Sequence, residues 1–152
     1  METTEIVKLN PFNFNNKLIT EEEVYGILKE YGIEEKITNL EYYQRAFIHK
    51  SYIKKENKDD VELEERPEGC LDLQEVSNER LEYLGDAILS ATVASYLFER
   101  FPDEEEGFMT RIRTKLVNGE MLGSLADKMN LNKHLVISRH VEEKCDGRNS
   151  VQ

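Results

Sequence analysis

The chain has 152 residues, 39% of them hydrophobic and 34% charged, which sizes it for a single soluble domain burying about two-thirds of its unfolded surface. No apolar run approaches the ~20 residues of a membrane-spanning helix, and the N-terminus lacks the charged and apolar regions of a signal peptide, so the expectation is an intracellular protein of cytoplasm or nucleus, away from membranes. The net charge of −11, taken alone, argues against nucleic-acid binding, because phosphate recognition runs on Lys and Arg.

Residues 1–19 are Asn-rich, contain Pro11 and are expected to be irregular. Phe12 and Phe14 either tack this arm onto the body or leave it disordered. Thr20, followed by Glu21, Glu22 and Glu23, is a capping-box pattern. It opens a short helix carrying Val24, Ile27 and Leu28, which stops near Gly32. Asn39 is placed to cap a second helix, with Leu40, Tyr43, Phe47 and Ile48 at helical spacing and His49 and Ser51 at its end. A lone His near a helix end is more often a structural hydrogen-bonder than a catalyst, and His49 is read that way.

Residues 54–77 hold four positive and nine negative charges, net −5, with Pro67 and Gly69, and read as a variable surface loop. Ser77 or Asn78 caps a long helix running to about Arg100, which Pro102 ends. Residues 103–107 make an acidic turn, where Glu106 either touches a ligand or solvates the turn. Met109, Ile112 and Leu116 stripe the next helix. Arg111 and Lys115 share another of its faces, able to meet phosphates or to pair with nearby carboxylates at little gain. Asn118-Gly119 breaks that helix, and Leu122, Leu125, Ala126 and Met129 define one more. The remainder is strand-poor and ends in a polar, Gly-containing loop. No period-2 run is long enough for a sheet, and no GxSxG, Walker-type loop, HExxH or paired CxxC occurs. Cys70 and Cys145 have no such partner and read as free thiols of a reducing compartment.

The chemistry concentrates in Asn78–Asp86, NERLEYLGD. At about 100° per residue, Glu79, Glu82 and Asp86 share one narrow arc, while Leu81, Leu84 and Ile88 lie roughly opposite and can enter a core. Three clustered carboxylates repel one another, and a divalent cation held by one or two of them would relieve this. The plainer reading is the wet face of an amphipathic helix. Gly85 weighs against it, because Gly inside a helix costs about 1 kcal/mol and often marks a close approach.

The run NERLEYLGDAIL resembles the signature of the ribonuclease III family, double-stranded-RNA endonucleases with an all-α catalytic domain. YYQRAFIHKSY at 42–52 and FERFPDEEEGFMTRIRTKLVNGEMLGSLA at 98–126 agree in order and spacing, so the resemblance covers roughly 40–140. It implies an all-α helix bundle, with an N-terminal arm and short helix over 1–38 and the nuclease-like domain over 39–152. It implies that Glu82 and Asp86 are ligands for Mg²⁺ or Mn²⁺. It places Glu79 and Glu106 along the substrate cleft, with Glu79 among the catalytic groups, and Tyr83 in the interface of a homodimer. Double-stranded RNA is the implied partner, and a bound metal would invert the local field of so acidic a chain.

One more acidic helix completes the family's site, downstream of a Gly/Arg-containing loop. Here the chain reaches Asp146-Gly147-Arg148 and ends at Gln152, so the expectation is a C-terminally incomplete nuclease domain with no double-stranded-RNA-binding domain. The alternative is a catalytically incomplete member of the same fold, acting in dimerisation or ribonucleoprotein assembly. A plain helical interaction domain is the third reading.

Overall fold

The computed structural model describes residues 7–54 and 61–145. The expected tail chemistry at 146–152 and the charge run at 55–60 lie outside the described residues. The described chain divides into two compact units: one from the residues up to Asn78 together with those from His134 on, the other from Glu79–Lys133.

In the first unit, helix α1 (Glu21–Glu30) begins with the expected capping box. Thr20 accepts from the Glu23 amide at 3.3 Å, and the Glu23 carboxylate accepts from the Thr20 amide at 2.9 Å. It ends in a Schellman motif: Ile33 N–H donates to Leu28 O and Gly32 N–H to Lys29 O, both at 3.0 Å. Gly32 takes φ 79°, a conformation that costs other residues a Cβ clash. The buried Val24 packs with Ile19 and Ile37, and Ile27, Leu28, Leu40 and Phe47 pack against them.

Helix α2 (Leu40–Ala46) starts after Asn39 as expected, but the Asn39 side chain makes no capping hydrogen bond. Its expected apolar stripe splits. Leu40 and Phe47 join the α1 cluster, Ile48 enters a second one, and Tyr43 stays exposed. His49 then caps a 3₁₀ turn (Lys50–Tyr52), its Nδ1 accepting from Ser51 N–H at 3.2 Å and lying 2.8 Å from Ser51 Oγ. That is the structural role read for it.

The second cluster contains Phe12, Ile48, Tyr52, Cys70, Leu73 and Val136. Three corrections follow from it. The arm is not irregular throughout: Phe12 is buried, Phe14 is exposed, and strand β1 (Val7–Leu9) pairs in parallel with strand β2 (Val61–Leu63). A sheet therefore exists, although only three residues long, too short for any period-2 run to announce. Residues 54–77 are not merely a surface loop either, because Cys70 and Leu73 are core. The segment past residue 131 adds a helix, α6 (Arg139–Cys145). Apart from the two short strands, the architecture is the all-α one expected. Cys70 is a free, buried thiol.

The second unit contains α3 (Glu79–Arg100), α4 (Glu106–Leu116) and α5 (Gly119–Lys128). Asn118 breaks the chain after α4 and caps α5, accepting from Met121 N–H at 2.9 Å. Phe101 and Phe108 meet edge to face across the α3–α4 turn, with centroids 5.2 Å apart.

Tyr52 is the test of the first unit. It is fully buried, and its hydroxyl donates to Leu71 O at 2.7 Å. Burial pushes its phenol above the ordinary value, outweighing the opposing hydrogen bonds from Asn16 and Asn13. A raised folded-state pKa means that its stabilising contribution is complete below about pH 10, the unfolded value, and is lost as pH rises through the folded one. Tyr52→Phe should cost about 1–3 kcal/mol at pH 7 by stranding the Leu71 carbonyl. Urea midpoints measured at pH 7 and again well above pH 10 should show the gap between variant and parent narrowing in alkali.

Candidate active site

α3 runs 22 residues, long enough for its own hydrogen-bond ladder to hold the side-chain directions fixed. Glu79 and Glu82 occupy its first turn, where carboxylates complement the helix dipole. Asp86 follows one turn after Glu82, so the expected arc of three exists, and all three are exposed. The side chains of Glu82 and Asp86 take part in no ion pair or hydrogen bond among the described residues. Tyr83 projects beside them and is 84% exposed.

Two expectations for this helix fail. Leu84 and Ile88 do not enter a core: they are 54% and 57% exposed. Periodicity marks a face as apolar without naming what covers it. Gly85 marks no close approach, since a Cβ built there would meet nothing within 4 Å. The buried residue of α3 lies near its other end, at Leu97.

Glu106 opens α4 and accepts from Thr110 Oγ1 at 2.8 Å. With Thr110, Arg113 and Met109 it forms one wall of a groove of about 440 Å³, whose other wall is Ala94, Ser95, Leu97 and Phe98. Eight residues separate Asp86 from Ala94, about 12 Å along the helix axis. The described structure thus gathers Glu79, Glu82 and Asp86 and sets Glu106 beside the opposite half of α3. Arg113 and Thr110 were not singled out from sequence as neighbours of Glu106, although the Glu106–Thr110 spacing of four was the available signal. Arg111, Arg113 and Lys115 form no ion pair among the described residues.

No group of three or more His, Cys, Asp or Glu poised to hold a metal occurs among the described residues. The pair Glu82 and Asp86 nonetheless has the right donor chemistry for Mg²⁺ or Mn²⁺. Such ions accept one or two protein carboxylates and fill the remaining positions with water and substrate oxygens. No described helix is long and apolar enough to cross a membrane.

Comparison with known proteins bears on this arrangement. A family model for the ribonuclease III domain matches residues 79–151. The probable ribonuclease 3 of Acanthamoeba polyphaga mimivirus is 34% identical over 91% of this chain and 27% of its own length. Ribonuclease 3 of Listeria innocua is 36% identical over 72% of this chain and 42% of its own. This chain therefore spans well under half the length of these relatives. Among solved structures, the nuclease domain of ribonuclease III from Campylobacter jejuni superposes with a TM-score of 0.62 at 26% identity, covering 84% of this chain and 73% of that one. In that protein, a region involved in dimer formation is structurally flexible.

Leu97, 1% exposed, anchors the α3–α4 unit. Leu97→Ala should destabilise that unit by about 2–5 kcal/mol. Hydrogen exchange should register the loss in the amides of α3 and α4.

Proposed function

We propose, from the fact that this chain belongs to the ribonuclease III family, that it forms part of an endoribonuclease hydrolysing the phosphodiester bonds of double-stranded RNA with Mg²⁺ or Mn²⁺. The observation that carries the reading is the exposed arc of Glu79, Glu82 and Asp86 on the first two turns of α3. Glu82 and Asp86 would hold the cation, because they are one turn apart and their side chains are engaged by no other described group. A bound divalent ion supplies Lewis-acid stabilisation of the phosphoryl oxygens and lowers the pKa of a water nucleophile.

The remaining work falls to the chain's own groups. Glu79 adds negative charge at the edge of the arc and orients donors, such as water or ribose hydroxyls, around the scissile phosphate. Glu106, fixed by Thr110 at 2.8 Å, lines the substrate path farther along α3. Arg111, Arg113 and Lys115 on α4 offer cations for backbone phosphates. Phosphate contacts of this kind set position without reading sequence.

Tyr83 supports a homodimer. A large aromatic at 84% exposure, with Leu84 and Ile88 also open on the same two turns, is suited to anchor an isologous contact. Two copies of α3 brought together would present two carboxylate arcs to one duplex, one for each strand. The same exposed apolar residues favour a second reading, in which the chain serves as a dimerisation or ribonucleoprotein assembly partner without cutting RNA.

Three experiments test these readings. Asp86→Asn should lower cleavage of duplex RNA by about 100-fold or more in any form of this chain that cuts it. Calorimetry with Mn²⁺ should show weak binding that falls further in the variant. Retained cleavage would move the site elsewhere, and no cleavage by the parent at all would favour the assembly reading. Tyr83→Ala should abolish a weak, concentration-dependent dimer in sedimentation with Mg²⁺ present. An unchanged dimer would put the contact on another face.

A further inference from the structure

The N-terminal arm is held largely by side-chain amides. Asn16 Nδ2 donates to Ile137 O at 2.8 Å, and Asn16 Oδ1 accepts from Ile137 N–H at 3.1 Å. One side chain thus makes the two-way pair that a neighbouring strand would make. Asn13 Nδ2 donates to the same carbonyl at 3.2 Å and also to Glu142. Asn15 Nδ2 reaches the other Glu142 oxygen at 3.1 Å. Pro11 O accepts from Arg139 N–H at 3.1 Å.

Asn13 and Asn16 are only 5% and 4% exposed. A buried amide that loses its partner keeps its full desolvation cost. These bonds also converge on two residues, Ile137 and Glu142, and interactions that share partners do not fail independently. On the other side of the contact, α6 is a seven-residue helix. That length is too short to persist on intrinsic propensity, and its apolar Val141 is only half-buried.

We infer that residues 10–16 are a strap that latches α6, and that strap and helix open together as one unit, separately from the Ile19–Val24–Ile37 cluster. The arm then does more than cover the body. It sets whether α6 is in place.

Hydrogen exchange on the whole chain tests this. Asn16→Ala should speed exchange of residues 10–16 and 137–143 together by about tenfold, with residues 24–30 unchanged. Asn15 is exposed and gives a gentler second variant. Asn15→Asp sets a carboxylate against Glu142 and should open both segments. Adding Glu142→Gln restores a donor facing an acceptor and should close them again. Acceleration in the arm alone would overturn the inference, as would equal acceleration in residues 24–30. So would a double variant as open as Asn15→Asp by itself.

Discussion

A reciprocal pair of backbone hydrogen bonds closes the first unit. Val136 N–H donates to Phe47 O at 2.9 Å, and His49 N–H donates to Val136 O at 3.0 Å. The bond forces the end of α2 and the segment before α6 to run side by side in parallel. Ile48 and Val136 are thereby both buried against Tyr52. With that ladder in place, Ser51 Oγ can accept from Ser138 N–H at 2.9 Å. Ile137 is then presented to the arm. Without it, the Tyr52 cluster would lose one wall, and Asn13 and Asn16 would lose the Ile137 backbone groups they pair with.

The α3 unit obeys a different constraint. Its parts are local, and the helix itself does the arranging. A 22-residue helix carries its own backbone bonds and needs few partners to orient a side chain. This is why three like charges can stand on one face, with the dipole tempering those at the first turn. It is also why large apolar residues such as Tyr96 and Phe98, 59% and 70% exposed, are carried along the same rod. In the first unit, geometry depends on tertiary pairing. In the second, it depends on helical pitch.

That contrast explains what could be read in advance. The Thr20–Glu23 box, the Gly32 stop, the break at Asn118-Gly119 and the span of α3 are all legible, because start and stop signals lie within a few residues of where they act. The carboxylate arc was legible for the same reason. The exposure of Leu84 and Ile88 is not legible, because a wheel assigns a face but not a neighbour. β1, β2 and α6 leave no such mark, because three-residue strands and a seven-residue helix exist through partners distant in the chain. Asn39 occupies a cap position without making the bond its type allows, a reminder that residue type permits a contact and does not compel it. Glu106 is expected in the acidic turn over 103–107 but opens α4 instead, where its bond to Thr110 has no counterpart in that expectation.

The division of the chain also imposes an order of assembly. The α3–α5 unit is a contiguous stretch, Glu79–Lys133, inserted into the first unit. The first unit is closed only by residues that follow it, through bonds spanning as many as 129 positions, between Asn13 and Glu142. Contacts so far apart carry a loop-closure cost that short helical contacts do not. During synthesis the inserted helices emerge and can pair while the Tyr52 cluster still lacks Val136. The early half of the chain therefore waits, unfinished, for a segment made after everything between them.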